Sequence, residues 1–202
     1  LIDPDGRTMV VGDAAEFLAS GLYTVSGRGI NAQLRFHTPN LRDEDGLPPP
    51  TAAGDLIGTY APQTDFTGTF VRDDGVNGSV NFSYNVQSET PADLADLTGV
   101  WTQSDAFGDA SVRLSFDNSG QFNGTDAQGC NLTNARAAVI DRRYNLYRLT
   151  FSRNCVGEST PQTLTGLMTV IDVTAAGRTL TQMVFAASNA GSAVSFRLLP
   201  SF

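Results

Sequence analysis

From Leu97 to Leu199 the chain runs as short apolar-alternating segments separated by Gly- and Asn-rich turns, and this ladder carries the only two cysteines, Cys130 and Cys155. The two lie equally far from the turn Asp141-Arg142-Arg143-Tyr144. If that turn closes a hairpin centred between Arg142 and Arg143, Cys130 and Cys155 face each other across one antiparallel pair. Directly opposed residues have the Cβ separation a disulfide requires, or close to it. The pattern predicts a β-rich chain held by one covalent staple. Disulfides persist in oxidising compartments, so the expected location is extracytoplasmic: periplasm, outer-membrane surface or secreted. The same register sets Arg136 opposite Leu149, a charge on the apolar side. A β-bulge near Arg136 would relieve it.

About eight strands follow from the pattern: Thr98–Ser104, Val112–Asp117, Gln121–Asp126, Asn131–Ile140, Asn145–Ser152, Thr163–Asp172, Thr179–Ala187 and Ala193–Leu199. Val112/Leu114/Phe116, Tyr147/Leu149/Phe151 and Val194/Phe196/Leu198 alternate with polar neighbours, the mark of strands with one buried face. Consecutive strands joined by short turns suit a small up-and-down antiparallel barrel, with a sandwich as the alternative. Trp101, Tyr144, Tyr147 and the twelve phenylalanines are then mostly core, with a minority left to line a cavity or an aromatic binding face.

The N-terminal half reads as a smaller β subdomain. Leu1-Ile2 and Arg7–Val11 flank the tight turn Asp3-Pro4-Asp5-Gly6. Asp13–Ser20 has the capping grammar of a two-turn helix, with Asp13 as N-cap, Glu16 as its partner and Gly21 as the stop. Strands are expected at Leu22–Ser26, Ile30–His37, Asp55–Tyr60, Phe66–Arg72 and Ser79–Tyr84. Between them, residues 38–54 hold four prolines and an acidic cluster, an exposed loop that proteases should cut at Arg42. The domain reading is 1–86 for this subdomain, 87–95 for a connector and 96–202 for the eight-stranded domain. Asp55-Leu-Ile-Gly-Thr-Tyr60 echoes Asp96-Leu-Thr-Gly-Val-Trp101, a match short enough to arise by chance or by duplication.

Composition narrows the function classes. The net charge is −8, lysine is absent and all 13 basic residues are arginines, with Arg142-Arg143 the one adjacent pair. A phosphate backbone calls for clustered cations, so nucleic acid is not an expected partner. Chemistry that needs a lysine, such as a Schiff base or a P-loop, is excluded. No apolar run reaches membrane-spanning length. His37 is the sole histidine, ends a strand before Pro39 and is expected to face solvent; no Gly-x-Ser-x-Gly elbow accompanies it. Two cysteines and one histidine do not make a zinc site, and no metal or cofactor is expected. Asp3-x-Asp5-Gly6 and Asp43-x-Asp45-Gly46 are fragments of calcium-loop grammar without the closing bidentate glutamate, and they read as turns. Asn77, Asn81, Asn123 and Asn131 stand in N-glycosylation patterns, which a chain rich in Asn, Ser and Thr supplies by chance.

Leu97-Thr-Gly-Val-Trp101 followed by Leu114-Ser-Phe-Asp-Asn-Ser-Gly-Gln-Phe-Asn-Gly124 resembles the first hairpin of avidin-like and lipocalin-like barrels, which also open with Gly-x-Trp. That resemblance implies a barrel and carries no ligand-binding residue. From Tyr84 to Leu199, Leu94-Ala-Asp-Leu-Thr-Gly99, Gly129-Cys130, Asn145-Leu-Tyr147, Cys155 and Thr165-Gly-Leu167 are similar to uncharacterised exported proteins and lipoproteins of Gram-negative bacteria. This implies an envelope location and no particular activity.

The sequence thus leads to a non-enzymatic exported binding or assembly protein. A carboxylate-dependent glycan-active enzyme and a small-ligand-binding barrel are the alternatives. The candidate assembly surface is the strand Arg7-Thr8-Met9-Val10-Val11. Only Leu1 and Ile2 stand before the Asp3–Gly6 turn, so either upstream residues that would pair with this strand are absent from the sequence or Met9-Val10-Val11 presents an open apolar edge, a template for a strand from a protein partner or from another copy.

Overall fold

The apolar alternation of the N-terminal half produces six strands: β1 (Arg7–Val11), β2 (Leu18–Ser26), β3 (Gly29–His37), β4 (Ala52–Ala61), β5 (Asp65–Arg72) and β6 (Asn77–Ser83). The computed structural model describes residues 1–12, 17–38, 51–104, 110–175 and 177–201. Each of the six strands pairs antiparallel with the next, in the order β1-β2-β3-β4-β5-β6, to form a curled sheet. One face gathers Ala19, Ala32, Leu34, Phe36 and Leu56, with Phe66, Phe70 and Val80 packed against them. Glycines make room for the rings on that face. Gly58 and Gly68 are cross-strand partners, and Phe66 lies over both, so a Cβ on Gly58 would come within 2.5 Å of its ring. Phe70 covers Gly78 of the next strand in the same way, at 2.8 Å.

The second unit holds β7 (Gly99–Ser104), β8 (Ala110–Phe116), β9 (Gln121–Thr125), β10 (Asn131–Val139), β11 (Tyr147–Asn154), β12 (Gln162–Ala175), β13 (Arg178–Ser188) and β14 (Ala193–Ser201). These eight strands form a closed up-and-down barrel, sealed where β14 pairs with β7. The chain divides at Ser88/Glu89 into the sheet unit and the barrel unit. Of the segment read as a connector, Ala92 is buried in the barrel core and Leu94 packs against it. Leu94–Leu97 is a turn of 3₁₀ helix capped by Asp93, whose carboxylate accepts from the Ala95 N–H at 2.9 Å. Tyr147 donates its hydroxyl to the Asp93 carbonyl at 2.9 Å, and the Trp101 indole donates to the Leu97 carbonyl at 2.7 Å. These bonds hold the segment in the mouth of the barrel.

The barrel interior is filled. Phe116, Phe122, Phe151, Phe185 and Phe196 run through it with neighbouring ring centroids 4.7–5.9 Å apart. Leu114, Leu132, Leu149, Leu164, Met168 and Met183 complete one contiguous core, all 0% exposed. Interior space of this kind is the usual ligand site of a small barrel; here side chains occupy it.

Two expectations need correction. Leu18–Ser20, read as the end of a helix, belongs to β2. Leu18 pairs with Val11 on one side and His37 on the other, and bonding to two neighbours outweighs the helical preference of so short a segment. Asp13 and Glu16, the proposed caps, lie outside the described residues. Ala52–Gly54, read as the end of the proline-rich loop, forms the start of β4. Arg42 and the Asp43–Gly46 fragment lie outside the described residues. The echoing segments also differ: Asp55–Tyr60 is wholly strand, whereas Asp96 and Leu97 sit in the 3₁₀ turn.

Candidate functional site

The cysteine hairpin has the register the turn implies at its far end. Asn131 pairs with Asn154, Leu132 with Arg153 and Thr133 with Ser152, and Cys130 and Cys155 are joined as a disulfide just beyond. Between Thr133 and Arg136 the pairing slips by one residue, so that Arg136 meets Thr150 and Ala137 meets Leu149. This is the bulge the charge at Arg136 called for. Asn134 takes up the extra residue with φ of 49°, a backbone region that asparagine tolerates better than most side chains.

The bulge shapes the outside of the barrel. Beside it lies an open groove of about 950 Å³, bounded by Ser115, Asp117 and Gln121 on one side and Thr133, Asn134 and Arg136 on the other. Asp117 is its carboxylate among the described residues, and that carboxylate is engaged in its own turn. Asp117 accepts from the Ser119 hydroxyl and N–H at 2.8 Å and from the Gln121 N–H at 3.0 Å, and the hydroxyl bond leads in holding its pKa below the usual range.

An ion pair the sequence reading missed closes the barrel at the disulfide end. Arg153 Nε donates to Asp126 Oδ2 at 2.7 Å and its Nη2 donates to Gln128 Oε1 at 2.6 Å. Asp126 Oδ1 accepts from the N–H groups of Gln128 and Cys130 at 2.9 and 3.0 Å. Both charged residues are buried, Arg153 to 5% exposure and Asp126 to 4%. The signal was present in the parity of β11. Tyr147, Leu149 and Phe151 point inward, and Arg153 continues the same series, so it had to find a carboxylate. Together the ion pair and the disulfide fix the ends of β10 and β11. Replacing both Cys130 and Cys155 with alanine is expected to lower barrel stability by about 3–4 kcal/mol on the loop-entropy estimate. Denaturant unfolding of the variant beside the oxidised parent measures this, and two free thiols in native material would refute the staple.

His37 is buried, not solvent-facing. Its place beside Leu18, itself paired with Val11, puts it on an apolar patch of the sheet with its Nε2 unpartnered. Burial, reinforced by the nearby Arg35 charge, lowers its pKa from 6.5 to about 4. An unfolded chain therefore binds a proton at this site that the folded chain refuses. The stabilisation is complete above about pH 6.5 and is lost as pH falls towards 4, up to about 3 kcal/mol. His37→Gln should flatten that part of the acid limb in urea titrations of the sheet unit; an unchanged limb would locate the sensitivity elsewhere.

The strand Arg7–Val11 is less open than expected. Its outward-facing residues are Arg7, Met9 and Val11, because Gly6 and Gly12 bond toward β2. The Asp3 N–H donates to the Arg7 carbonyl at 2.8 Å, and Met9 exchanges bonds with Leu1 at 2.7 and 2.8 Å. Leu1–Asp3 thus covers the edge as far as Met9, since the Asp3–Gly6 turn folds that short segment back onto β1. Among the described residues nothing covers the outer side of Val11.

At the other end of the sheet β6 is different. The Val76 carbonyl accepts from Arg72 and the Tyr84 N–H donates to Thr64, so Val76, Gly78, Val80, Phe82 and Tyr84 bond toward β5. The backbones of Asn77, Ser79, Asn81 and Ser83 point away from the sheet, and among the described residues nothing pairs with them. All four residues are exposed. Phe82, stacked on Phe66 at 5.9 Å, is 40% exposed on the apolar face next to this edge.

Known proteins add nothing to this. No family model, curated protein or solved structure matches the chain.

Proposed function

We propose that the protein is a non-enzymatic binding and assembly protein that works outside the cytoplasm. The observation that carries this reading is the pairing of a filled barrel with a bare strand edge. A small barrel packed with phenylalanine, leucine and methionine has no interior left for a ligand, so recognition falls to outer surfaces. Of these, β6 offers a row of unpaired backbone donors and acceptors, the chemistry by which sheets recruit strands. The disulfide and the resemblance to exported envelope proteins support the compartment. A glycan hydrolase would require two carboxyl groups flanking a cleft. The barrel groove brings only Asp117, already bonded to its own turn, among the described residues.

The test is the protein recovered from its native compartment. It should be found in a particle larger than one chain, with chemical cross-links running from the β6 edge, and purified protein should leave soluble and cell-wall glycans intact. A monomeric native form that hydrolyses a glycan would replace this reading with the enzymatic one.

A further inference from the structure

We propose that two copies of this chain join edge to edge through β6, forming one continuous sheet across a two-fold axis at Val80. The inference rests on the assembly reading and names the partner as a second copy.

Three observations select that partner. The first is the geometry of the edge. Asn77, Ser79, Asn81 and Ser83 all turn their backbone groups outward, so the register that uses every one of them on both copies sets Asn77 opposite Ser83 and Ser79 opposite Asn81. That arrangement is antiparallel and self-complementary, as an isologous interface must be.

Charge is the second. The chain carries a net charge of −8, which opposes contact between copies in general. Yet from Val76 to Val86 no side chain is charged. The polar face of the new pair would consist of Asn and Ser meeting Ser and Asn, which can exchange hydrogen bonds without repulsion. The usual guards of an edge strand are a lysine, an inward charge, a proline or a bulge. β6 has none of them, and its pairing with β5 is regular throughout. At the opposite edge, by contrast, Leu1–Asp3 covers β1 as far as Met9.

The third is packing on the apolar face. Within the sheet, phenylalanines settle over glycines: Phe66 over Gly58 of the neighbouring strand and Gly68 of its own, Phe70 over Gly78 of the next strand. Phe82 is the last of this series, and among the described residues no strand lies beyond it. In the two-fold register Phe82 stands opposite Gly78 of the second copy, beside the ring of that copy's Phe70. Val80 meets Val80 across the axis. The half-exposed edge of the apolar face is thereby covered by the same device that builds its interior.

Sedimentation equilibrium of the oxidised full chain reads the proposal directly. The mass should climb with concentration from 21.4 kDa towards twice that value. Backbone amides of Asn77, Ser79, Asn81 and Ser83 should gain protection from hydrogen exchange over the same range. The double variant Ser79→Lys/Asn81→Lys keeps the ladder to β5 but sets lysines opposite lysines, and should weaken association by about tenfold or more. Val80 would face its own copy as a non-hydrogen-bonded pair, where Cα atoms approach to about 4.5 Å. Val80→Cys should therefore give a covalent dimer under mild oxidation.

Self-pairing is overturned by a chain that stays monomeric at every concentration with freely exchanging β6 amides. It is equally overturned by a dimer that the lysine pair leaves unchanged, which would place the contact on another surface. A monomer whose β6 is cross-linked to a different protein in the native particle overturns self-pairing while sparing the assembly reading. Hydrolysis of a glycan removes that reading itself.

Discussion

Asp126→Ala is expected to lower the stability of the barrel by about 3–5 kcal/mol in denaturant unfolding, the range for breaking a buried ion pair from one side. The loss comes less from attraction given up than from what stays behind. Arg153, 5% exposed, would keep its guanidinium in the barrel end with Gln128 as its remaining partner. The N–H groups of Gln128 and Cys130 would lose their shared acceptor as well. Asp126→Asn, which retains an acceptor for those amides, should fall between the parent and alanine. The decisive comparison is Asp126→Leu/Arg153→Met. If an unpaired buried charge is the cause, removing both charges recovers most of the loss; a double variant as weak as Asp126→Ala would disprove it.

Phe185→Ala should cost a similar amount, about 3–5 kcal/mol, for another reason. Phe185 is fully buried at the centre of the aromatic column, with ring centroids of Phe196, Phe151 and Phe122 at 5.3, 5.6 and 5.9 Å. A closed ring of hydrogen-bonded strands cannot collapse inward to refill the space. The vacancy should therefore persist and stay dry, because its lining is apolar. Benzene added to the variant should raise its melting temperature and leave the parent unchanged. A loss below about 1 kcal/mol would mean that the barrel wall can contract after all.

These two sites also mark how far sequence carries. The eight-strand ladder, its antiparallel order, the cysteine partners and the bulge were all legible, because each follows from local alternation, turn chemistry or a count outward from one hairpin. Arg136 even revealed the slip in register, since a charge cannot face a core. Closure is not legible in the strands themselves: barrel and sandwich share them, and only the contact of β14 with β7 separates the two. Leu18–Ser20 was misread because its fate depends on Val11 and His37, which bond it from both sides. His37 was placed in solvent because the apolar character of its face comes from residues on two other strands. Asp126 and Arg153 went unpaired in the sequence because the hairpin register sets Leu132, not Asp126, opposite Arg153, and only strand parity hinted that Arg153 turns inward. The bare edge at β6 could not be read locally at all. Which strand is last in a sheet depends on the whole order, and the sequence pointed to β1 instead.

The seam between β7 and β14 has a consequence in time. Val100 pairs with Ser201, Trp101 with Pro200 and Thr102 with Leu199. Synthesis at about 5–20 residues per second separates the first strand of the barrel from the last by roughly 5–20 s. Throughout that interval β7 has a neighbour on one side only, and the column of phenylalanines lacks Phe196. Contacts this distant along the chain are also slow to find each other once all strands exist. The barrel therefore stays unsealed until its last strand is in place. A chain delivered unfolded and whole to its compartment stays unsealed only for the time the seam takes to close, whereas one that begins to fold as it emerges must keep an unsealed sheet from sticking to its neighbours until its last strand arrives.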